Sequence, residues 1–302
     1  MSEVAVASVV VPAYRARDRI DVPLRSLAAQ DVAEPFEVIV VASGDDGCAP
    51  YVRERWPEVR LVVAEGRLLP GAARNAGVAV ARGRWIAFLA DDCAVDTDWL
   101  RRRLERHRRG FDAVGGAVAN GTPRSPVGTA GWLIEYSAAL PSTRLPGHGE
   151  IPHTLSYDRA LLERVGLFPE DIRTGEDTLL NQRALAAGAR VSIEPEVRIL
   201  HRGPTRLREL LRHHHAHGRG LVQCVERHGF EANTGPPGQQ GPRAALRVWV
   251  RYPALRWWAA LRRIARGRPS LLPAYLVLTP IIWAALLSTA RGAWAELSAG
   301  PG

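Results

Sequence analysis

The chain has 302 residues, 46% of them hydrophobic, enough to bury a substantial core and too apolar for a wholly disordered polymer. Its formal charge of +9 sets 40 basic residues, every one an arginine, against 31 acids, so phosphates and anionic lipids are natural partners and nucleic acid is a rival one. Three widely spaced cysteines, Cys48, Cys93 and Cys224, argue against a disulfide scaffold and fit a reducing compartment.

The N-terminus, MSEVAVASVVVPAY, carries no basic region ahead of its apolar run, so it does not read as a signal peptide, and the chain is expected to start in the cytosol. VASVVVPAY predicts a β-branched strand, DRIDVPLRSLAAQ a helix, FEVIVVAS a second strand, VRLVVAE a third and WIAFLA a fourth. LLPGAARNAGVAVARG, between the last two, predicts an alanine-rich helix. This alternation predicts an α/β fold with a mostly parallel sheet flanked by helices, in which ligands bind beyond the carboxyl ends of the strands.

Asp91 and Asp92 follow the fourth strand directly, so they fall where that crevice should be. A helix is expected next in DTDWLRRRLERHRRG, capped by Asp96 or Thr97. Its arginine run, 101–109, is the best nucleic-acid candidate but lacks interleaved aromatics, and reads as a solvated helix face. Residues 111–157 loosen into glycine- and proline-containing segments, more loop than sheet. DRALLERVGLF restores helical order, and TGEDTLLNQRALAAGARVSIEPEVRILH predicts a capped helix and then a strand ending at His201. HHHAH, 213–217, reads as a basic surface, since no glutamate stands in zincin spacing.

Residues 231–243 read as a polar linker between a catalytic domain, 1–230, and a basic, tryptophan-rich and apolar helical segment, 244–302. The stretch 270–290 carries no charge, and about 20 helical residues would span roughly 30 Å of bilayer. Arginines precede it, which would leave the earlier domain on the cytoplasmic side. A buried hairpin is the alternative.

Adjacent carboxylates at a strand end need positive compensation, which a divalent ion shared with a substrate diphosphate would give; a polar turn before a helix is the plainer alternative. The order of SVVVPAYRARDRI, FEVIVVASGDDG, GAARNAGVAVARGRWIAFLADDC, RALLERVGLF and TGEDTLLNQRALAAGARVSIEPEVRILH resembles the glycosyltransferase family 2 catalytic domain, of GT-A fold, over roughly residues 7 to 201. The resemblance implies inverting, single-displacement transfer of sugar from a nucleoside diphosphate sugar to an acceptor hydroxyl, with Mn²⁺ or Mg²⁺ as cofactor, and the absence of a Q-x-x-R-W motif favours transfer of a single sugar. The acceptor would be a lipid-linked or cell-envelope glycan at the cytoplasmic face of the membrane.

The resemblance further implies that Pro12 and Tyr14 contact the nucleotide base and that Arg74 and Asn75 face the nucleotide-sugar. Asp91 and Asp92 would form the acidic metal and diphosphate motif. Ala90 fills its first position, so Asp92 becomes the metal ligand, with His201 approaching the same group. Glu176 and Asp177 match the acidic pair near the donor, Asp177 being the base. Where the family has an aspartate after its second strand this chain has Ala42, with Asp45 or Asp46 as replacements. These departures support the alternative of an inactive, membrane-associated GT-A binding module.

Overall fold

The computed structural model describes residues 5–141, 155–229 and 244–299; the linker expected at 231–243 lies outside them. The first half runs β1 (Ala7–Tyr14), α1 (Asp21–Ala28), β2 (Phe36–Ser43), α2 (Cys48–Arg55), β3 (Arg60–Val63), α3 (Pro70–Val80), β4 (Trp85–Phe88), β5 (Cys93–Val95), α4 (Trp99–Arg108) and β6 (Ala113–Asn120). Then come α5 (Pro126–Glu135), β7 (Ser156–Asp158), α6 (Arg159–Val165), α7 (Glu176–Ala186), β8 (Val191–His201) and α8 (Leu207–His228). The end of the chain is helical: α9 (Ala244–Leu246), a π-helical turn (Arg247–Arg251), α10 (Tyr252–Gly267), a 3-10 turn (Pro269–Leu271), α11 (Leu272–Val277) and α12 (Thr279–Ala299).

The described strands form one sheet in the order β3-β2-β1-β4-β7-β6-β8-β5. β1 pairs in parallel with β2 and β4, and β2 with β3, while β7 joins antiparallel to β4 and β6. The chain divides into two compact units. The first comprises Met1–Ala119, Gly147–Asp171 and Glu176–Leu200; the second comprises Asn120–Pro146, Ile172–Gly175 and His201–Gly302.

In the first unit β1 is buried on both faces, and its alternation sorts two cores. Val9 and Val11 pack with Leu24, Leu27, Trp99 and Leu104 from α1 and α4. Val10 points the other way, to Val78 of α3, Leu161 of α6 and Leu180 of α7. The two-residue period of a strand covered on both sides explains the unbroken apolar run.

Three expectations are corrected here. Residues 113–120, read as loop, form a buried strand; its small residues admit close neighbours, and a Cβ on Gly116 would meet the Val197 carbonyl oxygen at 1.7 Å. α4 starts after Asp98 rather than Asp96 or Thr97, because a turn comes first, in which the Asp96 carbonyl accepts the Trp99 N–H at 3.1 Å. Its arginine run is not wholly solvated. Arg103 is fully buried, with its guanidinium 4.4 Å from the Trp99 ring centroid and Nη1 donating to the Val114 carbonyl at 2.5 Å.

In the second unit α5 opens on Ser125, whose hydroxyl accepts the Gly128 N–H at 3.0 Å, and on Pro126 at its first position. α12 lies on α8 at backbone contact. A Cβ on Gly218 would meet the Thr289 carbonyl oxygen at 1.9 Å, and one on Gly292 the His215 carbonyl oxygen at 1.9 Å. The histidine run is therefore not an open basic surface: His214 is buried, and Glu135 Oε1 stands 3.1 Å from His213 Nε2 and 3.3 Å from His214 Nε2. Burial holds His214 down at about 4, whereas at His213 the Glu135 carboxylate outweighs burial and raises it.

Among the described residues no single helix is long and apolar enough to cross a membrane. Pro269–Val277 and Thr279–Ala299 reach that length and composition only together, across a 75° bend.

Candidate active site

Sheet geometry places the acidic pair. The Ala90 carbonyl accepts the Cys93 N–H at 3.1 Å, closing a tight turn between β4 and β5 with Asp91 and Asp92 at its centre. Cys93 is buried, as its packing role requires, and its thiol lies 3.4 Å from Asp92 Oδ1. Asp91 is mostly buried, and that desolvation, with the neighbouring Asp92 charge, pushes its carboxyl up to about 6 against the pull of Arg19.

Arg19 is a residue the sequence did not single out. Its Nε donates to Asp91 Oδ1 at 3.0 Å and its Nη2 to Asp91 Oδ2 at 2.8 Å, a bidentate pair. The same guanidinium donates to the carbonyls of Tyr14 at 2.9 Å and Arg15 at 3.1 Å. One side chain thus fastens the end of β1 to the acidic turn. The only sequence signal was an arginine in the run after the first strand.

Tyr14 and Pro12 lie half-buried at the end of β1. Beside the Tyr14 ring, Gly44 adopts φ 87°, where glycine is favoured, and a Cβ there would crowd the ring at 3.1 Å. The Arg67 guanidinium lies 4.7 Å from the ring centroid. Ala42 is buried in the sheet, while Asp45 is exposed. Asp46 accepts the backbone N–H groups of Arg17 at 2.9 Å and Cys48 at 3.2 Å, so it holds the loop after β2.

Arg74 and Asn75, in the first turns of α3, do different work. Asn75 is buried, and its amide donates to the Phe168 carbonyl at 2.9 Å and Glu170 Oε1 at 2.8 Å while accepting the Phe168 N–H at 3.1 Å. Phe168, so held, supports the Arg74 guanidinium 5.2 Å from its ring centroid. Arg74 in turn donates to Glu176 Oε1 at the start of α7.

Glu176 is buried, and burial with the adjacent Asp177 charge raises its carboxyl against the opposing Arg74 charge. Asp177 is only half-buried and accepts the Thr178 N–H at 2.8 Å. Tyr157, buried nearby, donates to Asn181 Oδ1 at 2.6 Å, and its phenol is raised first by burial and then by Asp177. Structure therefore brings Arg74, Asn75 and Glu176 together into one positioning chain with Asp177 beside it. His201 belongs to the second unit, at the end of β8, with its ring centroid 4.9 Å from that of Tyr136.

Among the described residues no group of three or more histidine, cysteine, aspartate or glutamate side chains is placed to hold an ion. The donor chemistry nonetheless suits a hard cation of the Mg²⁺ type, which uses one or two carboxylates and completes its shell with water and substrate phosphate oxygens. With both Asp91 oxygens engaged by Arg19, Asp92 is the carboxylate that fits this role.

The family model for glycosyl transferase family 2 matches residues 8–166, just over half of the chain. The chain belongs to this family. The match takes in Arg19, Tyr14, Arg74, Asn75 and the acidic turn in a single glycosyltransferase domain. Succinoglycan biosynthesis protein ExoO of Rhizobium meliloti (strain 1021) is 37% identical over 204 residues, 62% of this chain. The chain spans 57% of that relative's length.

Two solved structures share the fold. The mannosyltransferase PcManGT from Pyrobaculum calidifontis, in complex with GDP-Man and Mn²⁺, is 22% identical with a TM-score of 0.60 over 97% of this chain and 88% of that one. S. aureus TarS 1-349, in complex with UDP-GlcNAc, is 19% identical with a TM-score of 0.52 over 96% and 91%. The α/β fold expected from the sequence is thus a GT-A fold with a C-terminal helical extension.

Proposed function

We propose that the protein is a metal-dependent, inverting glycosyltransferase that moves a single sugar from a nucleoside diphosphate sugar to an acceptor hydroxyl. The acceptor is a lipid-linked or cell-envelope glycan, and the enzyme works at the cytoplasmic face of the membrane. The observation that carries this reading is the division inside one acidic pair: Glu176 is buried and engaged by Arg74, while Asp177 beside it is only half-buried. Membership of glycosyl transferase family 2 supports it. So do relatives and neighbours named for succinoglycan biosynthesis, or solved with GDP-Man and Mn²⁺ or with UDP-GlcNAc.

In this reading Asp177 accepts the proton of the attacking hydroxyl, a task that needs a carboxylate able to reach solvent-side substrate. Arg74, held rigid by Glu176 and by Phe168, presents fixed positive charge toward the donor. Tyr14 and Pro12 border the nucleotide base, and Asn75 acts through Phe168 rather than by touching the donor. A Mn²⁺ or Mg²⁺ ion would be held by Asp92, with Asp91 as its supporting group, and would neutralise charge on the departing diphosphate.

The binding-module alternative draws on Ala42 and on Asp46, which is already engaged by the loop backbone. Asp177→Asn separates the two readings. Transfer from a panel of nucleotide sugars in Mn²⁺ should fall by about 10²–10⁴-fold with donor binding kept, the range for losing a general base. Undiminished transfer removes Asp177 from the mechanism, and no turnover by the parent protein with any donor supports the binding module.

A further inference from the structure

The second unit carries an exposed apolar surface. Of the eleven large hydrophobic side chains exposed among the described residues, eight lie between 246 and 287. Five sit on the continuous helical stretch from α9 through α10: Leu246, Trp249, Val250, Leu255 and Trp258. Leu246, Val250, Leu255 and Trp258 recur every three to five residues, with Trp249 adjacent to Val250, while Val248, Ala260 and Ile264 of the same stretch are buried. Leu276 and Val277, at the end of α11, are more than half exposed.

The charge on this segment has one sign. Residues 244–299 contain eight arginines and a single acid, Glu296, and that acid pairs with Arg219 of α8 at 2.6 Å. Arg247 and Arg251 interleave with the exposed tryptophans, and Arg262 and Arg266 continue beyond them. Arginines interleaved along the chain with exposed indole and leucine side chains are complementary to a negatively charged, amphipathic surface. Another protein's apolar patch would match the indoles and not the arginines.

We infer that this face docks in the plane of an anionic lipid bilayer, α10 lying at the headgroup boundary without crossing. The inference rests on the membrane location proposed above and specifies how the chain is held there. α10 has 16 residues, so it extends about 24 Å, short of the roughly 30 Å of a hydrocarbon core. α12 turns one face to α8, burying Ala285, Ala290 and Ala293, and is not apolar on all sides toward lipid. Trp249 and Trp258 seat at the interface, where an indole has an apolar body and a polar N–H, while the arginines meet lipid phosphate.

The full chain is mixed with vesicles of pure phosphatidylcholine and with vesicles containing about 30% phosphatidylglycerol, and co-sedimentation is measured across salt. Binding should require the anionic lipid, weaken as salt rises, and be reversed by alkaline carbonate. Trp249→Ser with Trp258→Ser, and separately Arg262→Glu with Arg266→Glu, should each weaken it by about ten-fold or more while far-ultraviolet dichroism stays unchanged. Tryptophan fluorescence should be quenched by lipid brominated near the headgroup and not by lipid brominated at the chain end.

No binding to either vesicle overturns the membrane location itself. Binding that survives carbonate and is quenched at the chain end overturns in-plane docking alone, as does binding indifferent to both double variants. Concentration-dependent self-association, abolished by the tryptophan variants in the absence of lipid, assigns the face to a second copy instead.

Discussion

Arg19 clamps Asp91 with two parallel hydrogen bonds and, with the same guanidinium, holds the carbonyls of Tyr14 and Arg15. Two like charges at a strand end thereby acquire unequal tasks. Asp91 is tied to the frame, and Asp92 beside it is the carboxylate proposed to hold the metal.

Replacing Arg19 with Ala should therefore raise the KM for the nucleotide sugar by about ten-fold, a loss of 1.4 kcal/mol of binding, with a smaller change in kcat. Arg19→Lys should rescue only part of it, because an ammonium cannot make two parallel bonds. Steady-state kinetics on both variants checks this; an unchanged KM in the alanine variant removes the clamp from donor binding.

Glu176→Gln tests the buried pair. It strips Arg74 of its counter-charge in a site where neither side chain is more than a fifth exposed. Removing one member of a buried pair costs about 3–5 kcal/mol, so the melting temperature should fall by about 6 °C or more. A melt that coincides with the parent's would mean that Arg74 finds another partner.

Two histidines give the protein an acid limit. Burial lowers His107, in the first unit, and His214, in the second, each from 6.5 to about 4. A histidine held neutral by folding binds its proton more tightly when unfolded, so each contributes stability above pH 6.5 that is lost as pH falls toward 4. At 1.36 kcal/mol per unit each is worth up to about 3 kcal/mol. Melting curves from pH 7.5 to 4.5 should show this fall, shallower in His107→Gln; an equal slope in that variant discounts His107.

Much of the first unit was legible because parallel strands covered on both sides leave unbroken apolar runs, and four of them stand out. β6 was not, since AVGGAVAN looks like a flexible loop until close neighbours make its glycines necessary. The solvated reading of 101–109 failed for a related reason: Arg103, one turn on from Trp99, is buried because Val114 and Ser156 meet it from elsewhere in the chain. Arg19 and Asp91 stand 72 residues apart, and nothing local marks them as partners. Asp91, Asp92, Glu176 and Asp177 stand out in the sequence because their placement beside strand and helix ends repeats a family pattern.

A glycine scan tests the second unit. Gly218→Ala and Gly292→Ala each force a Cβ against a carbonyl oxygen, and overpacking of this kind costs about 1–3 kcal/mol. Gly66→Ala, with nothing within 4 Å of its Cβ, is the control. Chemical denaturation should show both helix variants weakened and the control near the parent.

The two glycine contacts between α8 and α12 are reciprocal: Gly218 faces Thr289, and Gly292, three residues on, faces His215, three residues back. Together they act as a vernier. Sliding either helix by one turn would carry both glycines past their partners and bring side chains into the gaps at once. The pair has one permitted alignment, and a substitution at either glycine has no neighbouring notch to fall into.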